Sequence, residues 1–185
     1  MPAGEPRASE SEHEFGGLVS SNQTSAASSV RLTAGDVWRA LARHSFAVMS
    51  HVTASGQPRS SGVVYGTDNG RLLVVVAASS WKARTIADGQ LVALTVPVRR
   101  GGILSMLFPI PPAAISFRAR AHVGDACMLD RDSLPPKFAR LLPPAQAPSC
   151  VIELTPEGNF LTYGIGVSLM AMRDPEVAQA RVPVA

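Results

Sequence analysis

Between Arg59 and Ala78 the chain reads Arg-Ser-Ser-Gly-Val-Val-Tyr-Gly, passes through Thr67-Asp68-Asn69-Gly70, and continues Arg-Leu-Leu-Val-Val-Val-Ala-Ala. Asp, Asn and Gly tolerate positive φ, and between two runs rich in β-branched side chains they form the strongest short-range signal for a β-hairpin. A chain built around such a hairpin has to supply further strands, because two strands alone are marginal in water.

The second run stops at Ser79 and Ser80. A serine ahead of Trp81-Lys82-Ala83-Arg84-Thr85-Ile86-Ala87-Asp88, with Gly89 behind it, predicts a capped helix with a glycine terminator. Lys82 and Arg84 oppose the macrodipole at that position, which makes sense if an anion sits there. Free backbone N–H groups, the hydroxyls of Ser79 and Ser80 and the ammonium of Lys82 would then converge on a phosphate, with Arg59 as a further partner. A solvated basic helix explains the spacing equally well. Scarcity tips the balance, since Lys82 and Lys137 are the only two lysines in the chain.

Charge distribution supports an anionic ligand. Met1 to Val30 holds Glu5, Glu10, Glu12 and Glu14 against Arg7, which leaves 16 basic and 10 acidic residues in the rest. A nucleic-acid binder would cluster its cations and interleave aromatics. Here the arginines are scattered and aromatics are 5%. Cys127 and Cys150 have no metal-ligand spacing and are expected as small buried hydrophobes. No basic segment followed by an apolar core opens the chain, so a cytoplasmic protein is expected. The apolar stretch Ile103 to Ala114 is too short for a bilayer and carries three prolines, so no membrane association is expected.

In order, residues 1–29 are poor in large apolar side chains and are expected as a disordered tail before one domain over 30–185. Thr33 and Asp36 resemble a capping box, with Val37, Trp38, Leu41 and Ala42 on one face of a helix to about His44. Phe46 to Val52 reads as a strand and Thr53 to Gln57 as a turn into the Arg59 strand. Leu91 to Val98 is nearly continuous in apolar residues, which predicts a strand buried on both faces. Arg99 to Pro112 reads as a long apolar loop, either a pocket lid or, preferably, a contact with a second subunit. Ile115 to Gly124 alternates as a strand, with Arg118 and Arg120 on one face. A short helix is expected at Lys137 to Leu142, strands at Cys150 to Thr155 and Phe160 to Tyr163 joined by a Pro156 to Asn159 turn, and a helical turn from Asp174 to Ala180. The fold class is mainly β with a few short helices, an antiparallel meander closing into a small barrel.

The order of capped helix, Phe46-Ala47-Val48-Met49-Ser50 strand, turn, Gln57-Pro58-Arg59, hairpin, Ser80-Trp81-Lys82-Ala83-Arg84 and Val92-Ala93-Leu94-Thr95-Val96 resembles a known superfamily. It is similar to the pyridoxamine 5'-phosphate oxidase-like flavin-binding split β-barrels, and among them to the actinobacterial flavin and deazaflavin oxidoreductases. The resemblance covers residues 31 to 125 well and the remainder loosely. It implies a six-stranded antiparallel split β-barrel that forms a homodimer, with cofactor sites at the subunit interface. It maps the phosphate contacts onto Arg59 and Lys82, and places Ser61, Gly62, Val63, Val64 and Val76 around the isoalloxazine. Tyr65, Ser79, Ser80 and Arg84 complete the implied site.

The implied cofactor is FMN or the deazaflavin coenzyme F-420, with haem as a third class found in relatives of this barrel. The implied activity is hydride transfer to or from a small organic substrate. The alternative is a non-catalytic protein that stores or senses a flavin, haem or related tetrapyrrole. In either case the cofactor carries the chemistry, and no general acid or base stands out. Tyr65 is a possible proton donor, though a strand tyrosine more often packs with its hydroxyl satisfied. His44, His51 and His122 lack a partner motif that would mark a haem ligand. No nucleophile elbow, Walker loop, Rossmann fingerprint or zinc-protease motif is present.

Overall fold

The capping box at Thr33 closes on both sides. Thr33 Oγ1 accepts from the Asp36 N–H at 3.3 Å, and the Asp36 carboxylate accepts from the Thr33 N–H at 2.9 Å. This fixes the start of helix α1 (Ala34–Arg43), which buries Val37 and Leu41. The computed structural model describes residues 32–99, 112–125, 136–140 and 148–184. The expected tail over 1–29 and nearly all of the expected apolar loop lie outside the described residues. The helix expected at Lys137 to Leu142 is described only as α3 (Pro136–Ala139).

Among the described residues, eight strands form one antiparallel sheet: β1 (Phe46–Val52), β2 (Pro58–Val64), β3 (Gly66–Asp68), β4 (Arg71–Ala77), β5 (Leu91–Val98), β6 (Ala113–Asp125), β7 (Ser149–Tyr163) and β8 (Gln179–Pro183). Their order is β2-β1-β5-β6-β7-β4-β3, with β8 paired to β7. The mainly β class holds, but the six-stranded closed barrel does not: this is an open half-barrel with β2 and β3 at its two ends. Those ends are successive in the chain, with only Tyr65 between Val64 and Gly66. The sheet therefore curls, and its concave side becomes the core.

Three expected elements differ. Leu91 to Val98 is not buried on both faces; Val92, Leu94 and Val96 point inward while Leu91, Ala93 and Thr95 are exposed. Cys150 to Thr155 and Phe160 to Tyr163 are one strand, β7, rather than a hairpin. Gly158 adopts φ 77°, and the pairing with β6 shifts register between Ser116 and Arg118, so the turn-like residues form a bulge inside the strand. The Asp174 to Ala180 helix shortens to α4 (Pro175–Ala178), capped by Asp174 and followed at once by β8.

The core gathers Leu41, Met49, Leu72, Val74, Leu94, Ile115, Leu154 and Phe160. Phe160, turned inward by the bulge, meets Trp38 of α1 edge-on at 5.7 Å and Phe117 at 5.2 Å. A smaller cluster outside β4 and β7 holds Leu73, Val151 and Phe138. Phe138 lies so close to Gly66 that a Cβ there would stand 2.5 Å from its ring. No helix among the described residues is long and apolar enough to cross a membrane.

Tyr65 is 1% exposed and its hydroxyl donates to the Leu41 carbonyl at 2.9 Å, which ties α1 to the junction of the two sheet ends. Burial pushes the phenol pKa far up, and the hydroxyl proton is given to the Leu41 carbonyl. Tyr65→Phe removes the bond but leaves the Leu41 carbonyl its second donor, the His44 N–H at 3.1 Å. It should cost about 0.5–1.5 kcal/mol of stability, measured by urea unfolding.

Candidate anion and cofactor site

The turn from β1 into β2 is closed by its own hydrogen bonds. The Thr53 N–H donates to the Gln57 carbonyl at 2.9 Å and the Gln57 N–H to Thr53 Oγ1 at 3.1 Å, with Gly56 at φ 79°. Across from it stands α2 (Trp81–Thr85), started by Ser80, whose hydroxyl accepts from the Ala83 N–H at 3.3 Å. Buried Ile86 follows α2 and anchors its end to the core. Between turn and helix lies an open cleft of about 780 Å³. The turn contributes Thr53, Ala54, Ser55 and Gln57, β2 contributes Arg59 and Ser60, and the helix side contributes Trp81, Arg84, Thr85 and Ala87.

Arg59 and Arg84 both line this cleft, and neither makes an ion pair among the described residues. Three other arginines are neutralised: Arg39 by Asp36, Arg71 by Glu153 at 2.7 Å and Arg120 by Glu157 at 2.7 Å. Two unpaired guanidinium groups facing one cleft make it attractive to phosphate or carboxylate.

Beneath the cleft is His51, 4% exposed on the concave face of β1 and opposite Arg59 in the ladder. Its ring stacks on Trp81, with centroids 5.6 Å apart and planes 21° from parallel. His51 Nε2 and Thr85 Oγ1 are 3.1 Å apart. The Thr85 hydroxyl spends its proton on the Trp81 carbonyl at 2.9 Å, so it can only accept from His51. This network assigns His51 as the Nε2–H tautomer, with the lone pair on Nδ1. That Nδ1 is buried and has no hydrogen-bond partner, and the same holds for Ser61 Oγ, one diagonal step away on the same face of the β1–β2 pair. Burial, and then the charge of Arg59, hold the His51 pKa below its ordinary value.

The residues expected to form one site are thus spread out. Arg59 and Arg84 meet at the cleft. Ser80 is spent on its cap, Ser79 is exposed, and Lys82 Nζ lies 5.5 Å from the centre of the Trp81 ring; none of these three lines the cleft. With α2 only five residues long, the expected helix to Asp88 is absent, and no extended helix dipole faces an anion. Val63 is in the core, Val76 packs against it, and Ser61 faces inward with them. Gly62 and Val64 are exposed on the opposite face of β2, where Gly62 accommodates the Phe46 ring: a Cβ there would meet it at 2.8 Å. Sequence reasoning weighed His51 only as a lone histidine and set it aside, and did not place Trp81 or Thr85 in the site. The inward phase of Ala47, Met49 and His51 along β1 was the signal available for the first.

No protein-family model and no curated protein sequence matches the chain. Solved structures do. General Stress Protein 26 from Bacillus anthracis superposes with a TM-score of 0.52 at 15% identity, over 70% of this chain and 92% of that one. A haem-binding protein from Mycobacterium smegmatis gives 0.55 at 18%, over 73% of this chain and 55% of that one. HutZ, the haem storage protein of Vibrio cholerae, gives 0.50 at 15%, over 70% of this chain and 94% of that one. These three proteins share the fold of this chain. At these identities the likeness reaches the fold and not the actinobacterial flavin and deazaflavin subtype.

The depressed His51 pKa has a consequence for stability. Below about pH 6.5 the unfolded chain takes up a proton at this imidazole more readily than the folded one, so stability present above that pH is lost as pH falls toward the folded-state value. The melting temperature should drop between pH 6.5 and 5 in the wild-type protein and drop less over that window in His51→Gln.

Proposed function

We propose that the protein binds and holds a planar cofactor bearing an anionic group, of the flavin mononucleotide or deazaflavin class, with the anion between Arg59 and Arg84. The observation that carries this reading is the pair of arginines without carboxylate partners on one open cleft, beside the indole of Trp81. The fit extends below the cleft, where Ser61 Oγ and His51 Nδ1 are buried polar atoms awaiting partners. A flavin held there supplies electron or hydride transfer at its ring, while the chain supplies anchoring and orientation. No side chain of the cleft offers an acid or base for turnover, so the reading is of a binding protein first and an oxidoreductase of small organic substrates second.

A haem cofactor is the second reading, favoured by the haem-binding and haem-storage proteins that share the fold. Its carboxylates suit the two arginines. The cleft lining itself holds no His, Cys, Met or Tyr for its iron, and the nearest imidazole is His51, buried beneath it.

We also infer a homodimer. The convex face of β1, β2 and β5 exposes Phe46, Val48, Val52, Val64 and Leu91. Its polar groups pair with each other, Ser50 with Ser60 at 2.8 Å and, across to β6, Thr95 with Ser116 at 3.1 Å. An antiparallel sheet facing water normally shows polar residues there, so this face fits a second copy. Sedimentation velocity should give a dimer for the wild-type chain and a monomer for Phe46→Glu.

Titration with FMN, coenzyme F-420 and haemin, followed by tryptophan fluorescence and by absorbance, tests the cofactor. FMN or F-420 should bind saturably, and Arg59→Ala and Arg84→Ala should each weaken binding by about 1.5–3 kcal/mol, the worth of a hydrogen bond to a charged group. Lys82→Ala should cost less than either. Haemin binding with a Soret band, and no response to the flavins, would replace the first reading by the second.

A further inference from the structure

His51 has a feature that anchoring alone does not use. Its ring is stacked on Trp81 and its Nε2–H is committed to Thr85, so it is held rigidly under the cleft with one unfilled, buried lone pair on Nδ1. The charged groups around it are of one sign. β2 presents Arg59 directly opposite in the ladder, and α2 presents Arg84 on the cleft wall and Lys82 over the Trp81 ring. From β5, the residues beside it in the sheet, Leu91, Val92 and Ala93, carry no charge. The carboxylate that follows α2, Asp88, is taken by His122 Nδ1 at 2.9 Å and by the Val123 N–H at 3.2 Å. In the free protein a proton on Nδ1 would add a buried positive charge among three cations.

We propose that His51 is a proton-carrying member of the anion site: an anion bound between Arg59 and Arg84 is accompanied by one proton taken from solvent onto His51 Nδ1. This rests on the cleft being the cofactor site. An anion paired with Arg59 cancels the field that opposes protonation, and the new imidazolium then attracts the anion in turn. The indole face stacked against the ring stabilises a cation. No bond other than the N–H is made, and no electrons move. Burial of the ring and Arg59's charge, which depress its pKa in the free protein, are the two costs that the anion offsets.

The coupling is reciprocal, so affinity for the anion must rise as pH falls through the interval between the free and bound His51 pKa values, about tenfold for each unit that binding moves it. Two measurements on the full chain decide this. Sulfate remains a dianion from pH 4.5 to 8, so the imidazole NMR titration of His51 is followed in sulfate and in chloride at equal ionic strength. Sulfate should raise the midpoint by about one unit. FMN binding is then measured calorimetrically at pH 6 in two buffers of different ionisation enthalpy. The wild-type protein should take up more protons than His51→Gln, in which only the phosphate of FMN titrates. If that variant fails to fold, the wild-type sulfate titration decides alone. FMN binding with equal proton uptake in both proteins, or an unmoved midpoint in sulfate, overturns the role of His51 and leaves the cleft as the cofactor site. Failure of FMN and sulfate to bind at all overturns both.

Discussion

The architecture depends on one residue's worth of chain, Tyr65, between the two ends of the sheet. β2 pairs only with β1, and β3 pairs with β4, yet the two strands are successive. Covalent continuity forces the sheet to curl, and curling creates the enclosed face that buries Met49, Leu94, Ile115 and Leu154. The Tyr65 hydroxyl then fastens α1 to that junction through the Leu41 carbonyl. Gly66, immediately after it, leaves room for the Phe138 ring outside the sheet. A bulky or conformationally restricted residue at this joint would disturb the sheet, the helix and the outer cluster together.

The same curling sets up the electrostatics of the cleft. It brings the start of β2 under a short helix, so Arg59 and Arg84 face one another with no acid between them. Elsewhere in the molecule acids are available: Glu153 and Glu157 on β7 reach Arg71 and Arg120. Leaving two guanidinium groups unpaired above a buried neutral imidazole opposes stability, and such local costs are tolerated where a ligand offsets them.

Local chemistry was readable in the sequence. Asn69 and Gly70 take positive φ as the hairpin required, the Thr33–Asp36 box forms, and Ser80 caps a helix. Features that depend on partners distant in the chain were not. The length of α2 is set by how soon Ile86 must turn into the core, and with a five-residue helix the wall of the cleft is Arg84, not Lys82. The Pro156 to Asn159 stretch has turn composition, but β6 and β8 hold both sides of it in register, so it survives as a bulge. β8 has too few apolar residues to announce itself; only Val182 is buried, and its place on β7 gives it a strand identity. His51 looked like an isolated histidine because its partners, Thr85 and Trp81, lie beyond a hairpin.

The position of β7 also says how the chain must assemble. The β1–β2 and β3–β4 ladders join neighbours in sequence and can form early, whereas β7 must lie between β4 and β6, with contacts such as Arg71 to Glu153 spanning 82 residues. Until it arrives, the inward side chains of β4 and β6 face solvent, and both strands keep open edges. During synthesis the strands before β7 therefore wait, with an apolar face uncovered, until β7 has left the ribosome. Chaperone demand and misassembly should concentrate in that interval.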